Sequence, residues 1–420
     1  MVEPYDVLVI GAGPAGLAAA AAAAGHGARV GLLDAQARRG GQVWRHDVRH
    51  ALPALARRHL AAVRDDPRVD WMPATRVIAA EPGRLLVEDA RQARWLPYAA
   101  VVIASGAQEL LLPFPGWTLP GVTGAGGLQA LAKQGWPLAG RRVLVAGSGP
   151  LLLATAATAR RHGARVLGIH EQAERAAVAR FARGLWRWPA KVAQAAALRG
   201  RLAGVPYRCG SVVVAAHGDE HLREVELDGP GGRRRVACDQ LALGYGLVPD
   251  VRLARLLDCR LEAAGAHARV AVDAHQCTSV AGVYAAGEAC GIGGRDCALV
   301  EGRIAGLAAA GAEVPAAWHR RRRHARAFAA RLHQHFVLDS RIHALARPDT
   351  VVCRCEDVPL KALESHADAR AAKLATRCGM GPCQGRICGT ALAELGRFPA
   401  EAGSRPPLFP ARLDSLCAPD

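Results

Sequence analysis

No cysteine precedes Cys209 in this chain of 420 residues, and five of its twelve crowd between Cys353 and Cys388. The spacing of a disulfide framework is absent, so in a cytosolic chain the cluster reads as metal binding. Long hydrophobic runs are missing as well: the longest, Leu17 to Ala24, is mostly alanine and follows no basic leader. Neither a signal peptide nor a membrane span is expected. Aromatic residues make up only 5% of the chain, against a formal net charge of +17. No nucleic-acid module is visible, so nucleic acid is not the expected partner. The charge is largely arginine, clustered at Arg233 to Arg235 and Arg320 to Arg323, and suits acidic cofactors or an acidic protein partner.

What is present is apolar bulk, 51% hydrophobic residues over a length that holds two or three domains with real cores. The organising stretch is Asp6 to Asp34. Val7 to Ile10 suit a buried parallel strand, and Gly11, Gly13 and Gly16 fill G-x-G-x-x-G ahead of an alanine-rich helix that opens with Pro14 and Ala15. The first glycine makes the tight turn, the second lets backbone approach a pyrophosphate, and the third lets helix pack on strand. Phosphates then sit at the positive helix end. Asp34 lies 23 residues after Gly11, at the end of the second strand, where a carboxylate accepts from a ribose hydroxyl.

Beyond it, the loop Gln36 to Arg45 offers Gly40 and Gly41 for close backbone approach and the Gln42 amide for a flavin ring, a plain turn being the alternative. Leu52, Leu55, Ala56, Leu60 and Val63 repeat with helical spacing. Three short β runs between Thr75 and Tyr98 read as a meander inserted into a parallel-sheet domain, and the next strand, Ala100 to Ile103, closes in the small residues Ala104, Ser105 and Gly106. A proline-rich crossing, Leu110 to Val122, marks a boundary. Arg141 to Glu171 then repeats the opening theme, with Leu152 at the third glycine position of Gly147 to Leu152, and with His170, followed by Glu171, counting to the place of Asp34. This second finger binds a dinucleotide, holds another nucleotide, or is a retained scaffold. Ser211 to Leu243 reads as another meander, and Gln276 to Gly287 as a strand arriving at Gly287 and Glu288 before a helix over Ala298 to Gly311. The helix carrying Trp318, Ala325, Phe328, Ala329 and Leu332 has the arginine run on its other face, expected to be solvated or to dock an acidic partner.

The cysteine cluster pairs C-x-C at Cys353 and Cys355 with a glycine-rich stretch holding Cys378, Cys383 and Cys388. Four thiolates hold either zinc or a [2Fe-2S] cluster. Zinc favours C-x2-C at both ends, whereas C-x-C with C-x4-C and intervening glycines, whose N–H groups are free to reach sulfide, favours iron–sulfur. No such pair lies near the first finger, which argues against disulfide-reductase chemistry. Cys290 and Cys297 fit no dithiol motif and read as buried apolar thiols.

With these motifs laid out, the chain resembles the alpha subunits of bacterial multisubunit FAD-dependent amine and amino-acid dehydrogenases, the group that includes opine oxidase, D-hydroxyproline dehydrogenase and hydrogen cyanide synthase. The resemblance runs from GAGPAG and GGQVWR through PFPGWTLPGV, AGSGPLLL, LALGYGLVP and AAGEACGIGG to the terminal CRCED and TRCGMGPCQGRICG. It implies an α/β flavoprotein of two dinucleotide-binding domains, a Rossmann-like FAD domain with an inserted second Rossmann-like domain, plus a C-terminal bacterioferritin-associated-ferredoxin-like [2Fe-2S] domain. The expected division is 1–112 with 263–315 for FAD, 113–262 for the second nucleotide fold, 316–345 for a basic linker helix and 346–420 for the cluster domain and tail. FAD would lie on Gly11, Gly13, Pro14, Ala15, Gly16, Asp34, Gly41, Gln42, Ser105, Gly106, Gly287 and Glu288. The cluster would lie on Cys353, Cys355, Cys383 and Cys388, with Cys378 a spare thiol.

The same resemblance implies an amino-acid-oxidase-like beta subunit that oxidises the amine or imino acid, of opine, hydroxyproline or glycine type. It leaves room for a small ferredoxin-like subunit, an FMN at a subunit interface and a nucleotide at the second finger. The leading expectation is a cytoplasmic electron-transfer subunit, soluble or peripheral to the inner membrane, that feeds a respiratory acceptor. The alternatives are a stand-alone NAD(P)H-dependent reductase and a zinc-bearing scaffold without enzymatic activity.

Overall fold

The computed structural model describes residues 3–399 and 405–417, which divide into two compact units. The first takes the chain up to Gln108, Val248–Ala329 and the tail 405–417; the second takes 109–247 and 330–399.

In the first unit the strand Tyr5–Ile10 is flanked in parallel by Val30–Leu33 and by the second half of Ala93–Ile103, with Val7 opposite both Val30 and Ala100. Val69–Met72 extends one side of this sheet and Val283–Ala285 the other, again in parallel. Val7, Leu8 and Val9 are wholly buried, as parallel strands covered on both faces require. Where two β runs were expected, one strand of 11 residues serves both purposes. Its residues 93–97 pair antiparallel with Arg84–Glu88 in the meander, and 98–103 join the parallel sheet. The finger helix, Pro14–Ala24, packs along Gly294–Ala309, a helix that starts one turn earlier than its apolar pattern suggested.

The second unit repeats the plan. Its parallel sheet runs in the order Tyr207–Arg208, Arg165–Glu171, Arg142–Gly147, Gln240–Gly244, Val122–Gly124, beside a three-stranded antiparallel meander of Val212–His217, Glu224–Gly229 and Gly232–Ala237.

The units differ from the expected division in several places: residues 248–262, expected in the second fold, fall in the first unit, and the helix expected as a linker is divided between the two at residue 329. The cysteine segment was read as standing alone behind a linker helix, yet it clusters with the second sheet. Trp117, buried in the proline-rich crossing, donates its indole N–H to the Val351 carbonyl at 2.6 Å, and the Arg354 guanidinium lies 5.1 Å over the same ring. A buried indole needs an acceptor, and this segment supplies it. The tail was grouped with the cysteines, yet it lies on the first unit's meander. There Leu408 donates to the Ile78 carbonyl at 2.9 Å, and the Glu88 carboxylate accepts from the Arg412 amide and the Ser415 hydroxyl at 2.9 and 2.6 Å. Among the described residues no helix is long and apolar enough to cross a membrane.

Candidate functional site

The first finger is shaped by contacts that only small residues permit. Gly11 turns with φ +107°, and a Cβ there would fall 2.4 Å from the Ala104 carbonyl oxygen at the end of the neighbouring strand. Asp34 closes the turn: one carboxylate oxygen accepts the Ala12 amide at 2.7 Å and the other the Gln36 amide at 2.8 Å. Burial pushes this carboxyl upward while those two N–H groups hold it down. Each oxygen keeps a further lone pair for a sugar hydroxyl. The Gly40 amide donates to the Ala12 carbonyl at 2.8 Å, and Trp44, buried and stacked on His59, anchors the loop that presents Gly41 and Gln42. Gln42 itself is exposed and accepts from Arg45 at 2.7 Å.

On the same sheet edge the Ser105 hydroxyl donates to the Asp250 carbonyl at 2.7 Å, and the Asp250 amide returns to the Gly106 carbonyl at 3.0 Å. Gly287 and Glu288 begin a short 3-10 turn, and burial pushes the Glu288 carboxyl up against a stabilising Gly294 amide. All twelve positions expected at the flavin thus belong to the first unit. Open glycines, a carboxylate with spare lone pairs and small residues at the carboxyl edge of a parallel sheet fit a flavin dinucleotide.

Sequence reasoning passed over Glu301. Only 1% exposed, it accepts the Gly287 amide at 3.1 Å, the Cys297 thiol at 3.3 Å and the Arg326 guanidinium at 2.7 Å, with Arg322 at 3.9 Å. Arg322 of the run expected to be solvated or to dock an acidic partner, and Arg326 one turn on, are therefore turned onto a buried carboxylate. Arg321 of the same run lies over the Trp318 ring at 4.6 Å, with Arg303 of the preceding helix at 4.7 Å. Cys297 is not an apolar bystander, and burial with the Glu301 charge raises its thiol. The signal available was an acid between Val300 and Gly302 on the helix face that carries Cys297, four residues earlier.

At the second finger the residue matching Asp34 is Glu171, not His170. A bulge between Val166 and Gly168 adds one residue to the strand, so Glu171 lies opposite Gly147, and its carboxylate accepts the Gly149 amide at 2.7 Å. The bond falls one residue further along the turn than the one from Ala12 to Asp34, the counterpart of Ala12 here being Ser148. Glu171 also accepts the Ala173 amide at 3.0 Å and the Tyr207 hydroxyl at 3.2 Å. His170 points instead at Ser211 and Arg234.

The cysteine segment folds as a short antiparallel pair, Val351–Cys353 with Val358–Pro359, and the helices Ala369–Thr376 and Cys388–Glu394. It brings the thiols together in two groups. Sγ of Cys353, Cys378 and Cys388 lie within 4.8 Å of one another, all buried, while Cys355 is hydrogen-bonded to Cys383. Cys378, expected to be set aside, is thus a full member of the buried group. The Cys353 sulfur accepts N–H groups from Gly379, Glu356 and Cys355, and the Cys355 sulfur accepts the Cys383 amide. Amides aimed at sulfur favour the thiolate form that binds metal. Burial still pushes Cys353 upward, and beside Cys378 the Cys388 thiol is raised further. Close thiols that repel each other's charge are relieved by a cation among them.

This geometry has counterparts among known proteins. Residues 5–320 match the pyridine nucleotide-disulphide oxidoreductase family. The A subunit of opine oxidase from Rhizobium meliloti is 34% identical, with 98% of each chain covered. The HcnB subunit of hydrogen cyanide synthase from Pseudomonas aeruginosa is 34% identical over 91% of this chain and 90% of that one. Among solved structures, L-proline dehydrogenase from P. horikoshii superposes with a TM-score of 0.67 at 19% identity, over 99% of this chain and 79% of that one. T. acidophilum thioredoxin reductase gives 0.56 at 22% identity, over 74% and 99%. At these identities the structural matches speak for the fold.

Proposed function

This chain belongs to the pyridine nucleotide-disulphide oxidoreductase family, in the group of the opine oxidase A subunits and the HcnB subunits of hydrogen cyanide synthase, and from that premise we propose that it is the electron-transfer subunit of a multisubunit amine or amino-acid dehydrogenase. The relatives are themselves named as subunits, which supports partner subunits for this chain; in the proposed complex an amino-acid-oxidase-like partner oxidises the amine. The single observation that carries the reading is the convergence of five thiols, with backbone amides aimed at two of the sulfurs, in a chain that also holds a complete flavin finger.

In this reading FAD is held by Gly11, Gly13, Pro14, Ala15 and Gly16 at its pyrophosphate and by Asp34 at the ribose. Gly41, Gln42, Ser105, Gly106, Gly287 and Glu288 line the rest. Cys353, Cys355, Cys383 and Cys388 hold a [2Fe-2S] cluster. Held there, FAD would supply electron exchange in pairs and the cluster exchange one at a time, the chemistry that would link a two-electron oxidation to a respiratory acceptor. The chain's own residues orient and tune: Asp34 fixes the adenosine end, Glu301 holds the Gly287 turn in place, and the Gly379 and Cys383 amides favour thiolate at Cys353 and Cys355. Anaerobic purification of the full chain should yield one FAD, two irons and two sulfides per chain, and a paramagnetic signal on reduction. Zinc in place of iron would sink the reading.

A further inference from the structure

The second glycine finger is not open to solvent in the way the first is. After the arginine-rich helix Ala316–His335, the chain runs directly across it. The Phe336 ring lies against Gly149, its Cγ 3.7 Å from where a Cβ would stand. Phe181 meets the same ring edge to face, with centroids 5.0 Å apart. The polar groups beside the finger are also engaged: the Ser148 hydroxyl reaches the Phe336 carbonyl at 3.4 Å. Gln172, 2% exposed, donates its amide to Ser148 at 3.0 Å and to the Val337 carbonyl at 2.9 Å, and its carbonyl accepts the Asp339 amide at 2.8 Å. Arg341 then ties the following turn to Asp228 at 3.0 Å.

We propose that the segment 336–339 is the built-in occupant of the second finger and closes it to adenine dinucleotides. The two fingers differ at one decisive place. At the first, the neighbour across Gly13 is Gly41, whose Cα stands 4.0 Å from the Cβ position of Gly13 and which brings no side chain. At the second, a phenyl ring takes that place. The middle glycine of the motif exists so that a pyrophosphate can approach backbone, and a ring held between Gly149 and Phe181 removes the approach. The segment is tethered, so it competes as an intramolecular ligand with an effective concentration that is roughly millimolar for short linkers. Glu171 retains the geometry of a ribose acceptor behind this cover. The finger has kept its nucleotide fold and changed its occupant.

The test uses the full chain saturated with FAD, titrated with ADP-ribose and with NADH by calorimetry. The unaltered protein should show no binding below millimolar ligand, whereas Phe336→Gly should bind ADP-ribose at least roughly tenfold more tightly. Gln172→Ala, which keeps the ring but cuts the ties to Val337 and Asp339, is the second variant should the first fail to fold, and it should gain affinity in the same direction. Amide exchange at Asp339, whose N–H is held by Gln172, should be slow in the unaltered protein and insensitive to NADH. Tight binding to the unaltered chain overturns the proposal. Equal absence of binding in both folded variants overturns it too, because something other than this segment would then close the finger.

Discussion

Gly302 on the helix Gly294–Ala309 lies so close to Ala15 on the finger helix that a Cβ at Gly302 would fall 2.0 Å from the Ala15 carbonyl oxygen. One turn on, Gly306 stands in the same relation to Ala19, at 2.2 Å. Two backbones in contact leave no room to yield, so Gly302→Ala should force the helices apart and cost about 1–3 kcal/mol. Because Ala15 opens the finger helix, the displacement also reaches the phosphate end. The expected outcome is a lower thermal midpoint together with faster FAD loss on dialysis. A variant with unchanged midpoint and flavin content would show that the helices do not pack this closely.

Asp34 closes the finger turn through Ala12 and Gln36 and is proposed to take the ribose, and two substitutions weigh the two roles. Asp34→Ala removes the acceptor for both Ala12 and Gln36 and should weaken FAD retention by roughly ten- to a hundredfold, the value of one or two charge-assisted hydrogen bonds. Asp34→Asn keeps a carbonyl oxygen for one of them and should fall between. Dialysis followed by absorbance of the bound flavin reads both, and an alanine variant that stays fully yellow would remove Asp34 from the site.

Cys383→Ser should abolish iron content and the reduced-state signal while FAD remains, because the cysteine segment and the first finger lie in different units. Cys378→Ser should keep both. The thiols of Cys353, Cys378 and Cys388 stand together, so Cys378 is the direct competitor for a ligand position. The opposite pattern, iron lost with Cys378 and kept without Cys383, would transfer the ligand role to it.

His170 sets a pH dependence of stability. Its ring is buried, and Nε2 faces the Arg234 guanidinium at 3.4 Å; arginine only donates, so Nε2 accepts and Nδ1–H donates to the Ser211 hydroxyl at 3.0 Å. Burial first, then Arg234 and Arg208, depress the imidazole from 6.5 to about 4. The unfolded chain therefore binds the proton more readily between those values, and the neutral ring contributes stability above pH 6.5 that fades as pH falls toward 4, at most about 3 kcal/mol. The urea midpoint of the unaltered chain should drop over that window more steeply than that of His170→Gln. Parallel pH profiles would refute the assignment.

Much of the site was legible because it obeys local spacing. A strand, three glycines, a helix and an acid at a set distance describe a finger wherever they occur, since the turn geometry and the rise per residue of strand and helix leave little freedom. The crowding of cysteines near the C-terminus marked a thiol cluster for the same reason. Where one extra residue entered the spacing, counting failed: the bulge near Val166 moved the acceptor from His170 to Glu171, and nothing in the residue types announces a bulge there.

Other features depend on which distant surfaces meet, and residues far apart in sequence decide them. Glu301 gains Arg326 only once two helices lie side by side, and Trp117 finds the Val351 carbonyl across 234 residues. Phe336 reaches Gly149 because Arg331, Gln172 and Phe181 hold the end of its helix over the second sheet. The sequence by itself determined two nucleotide folds and a thiol cluster, through periodicity and turn chemistry that act within a few residues. Which finger stays open was decided by tertiary packing alone, because a ring blocks a glycine only when long-range contacts bring it there.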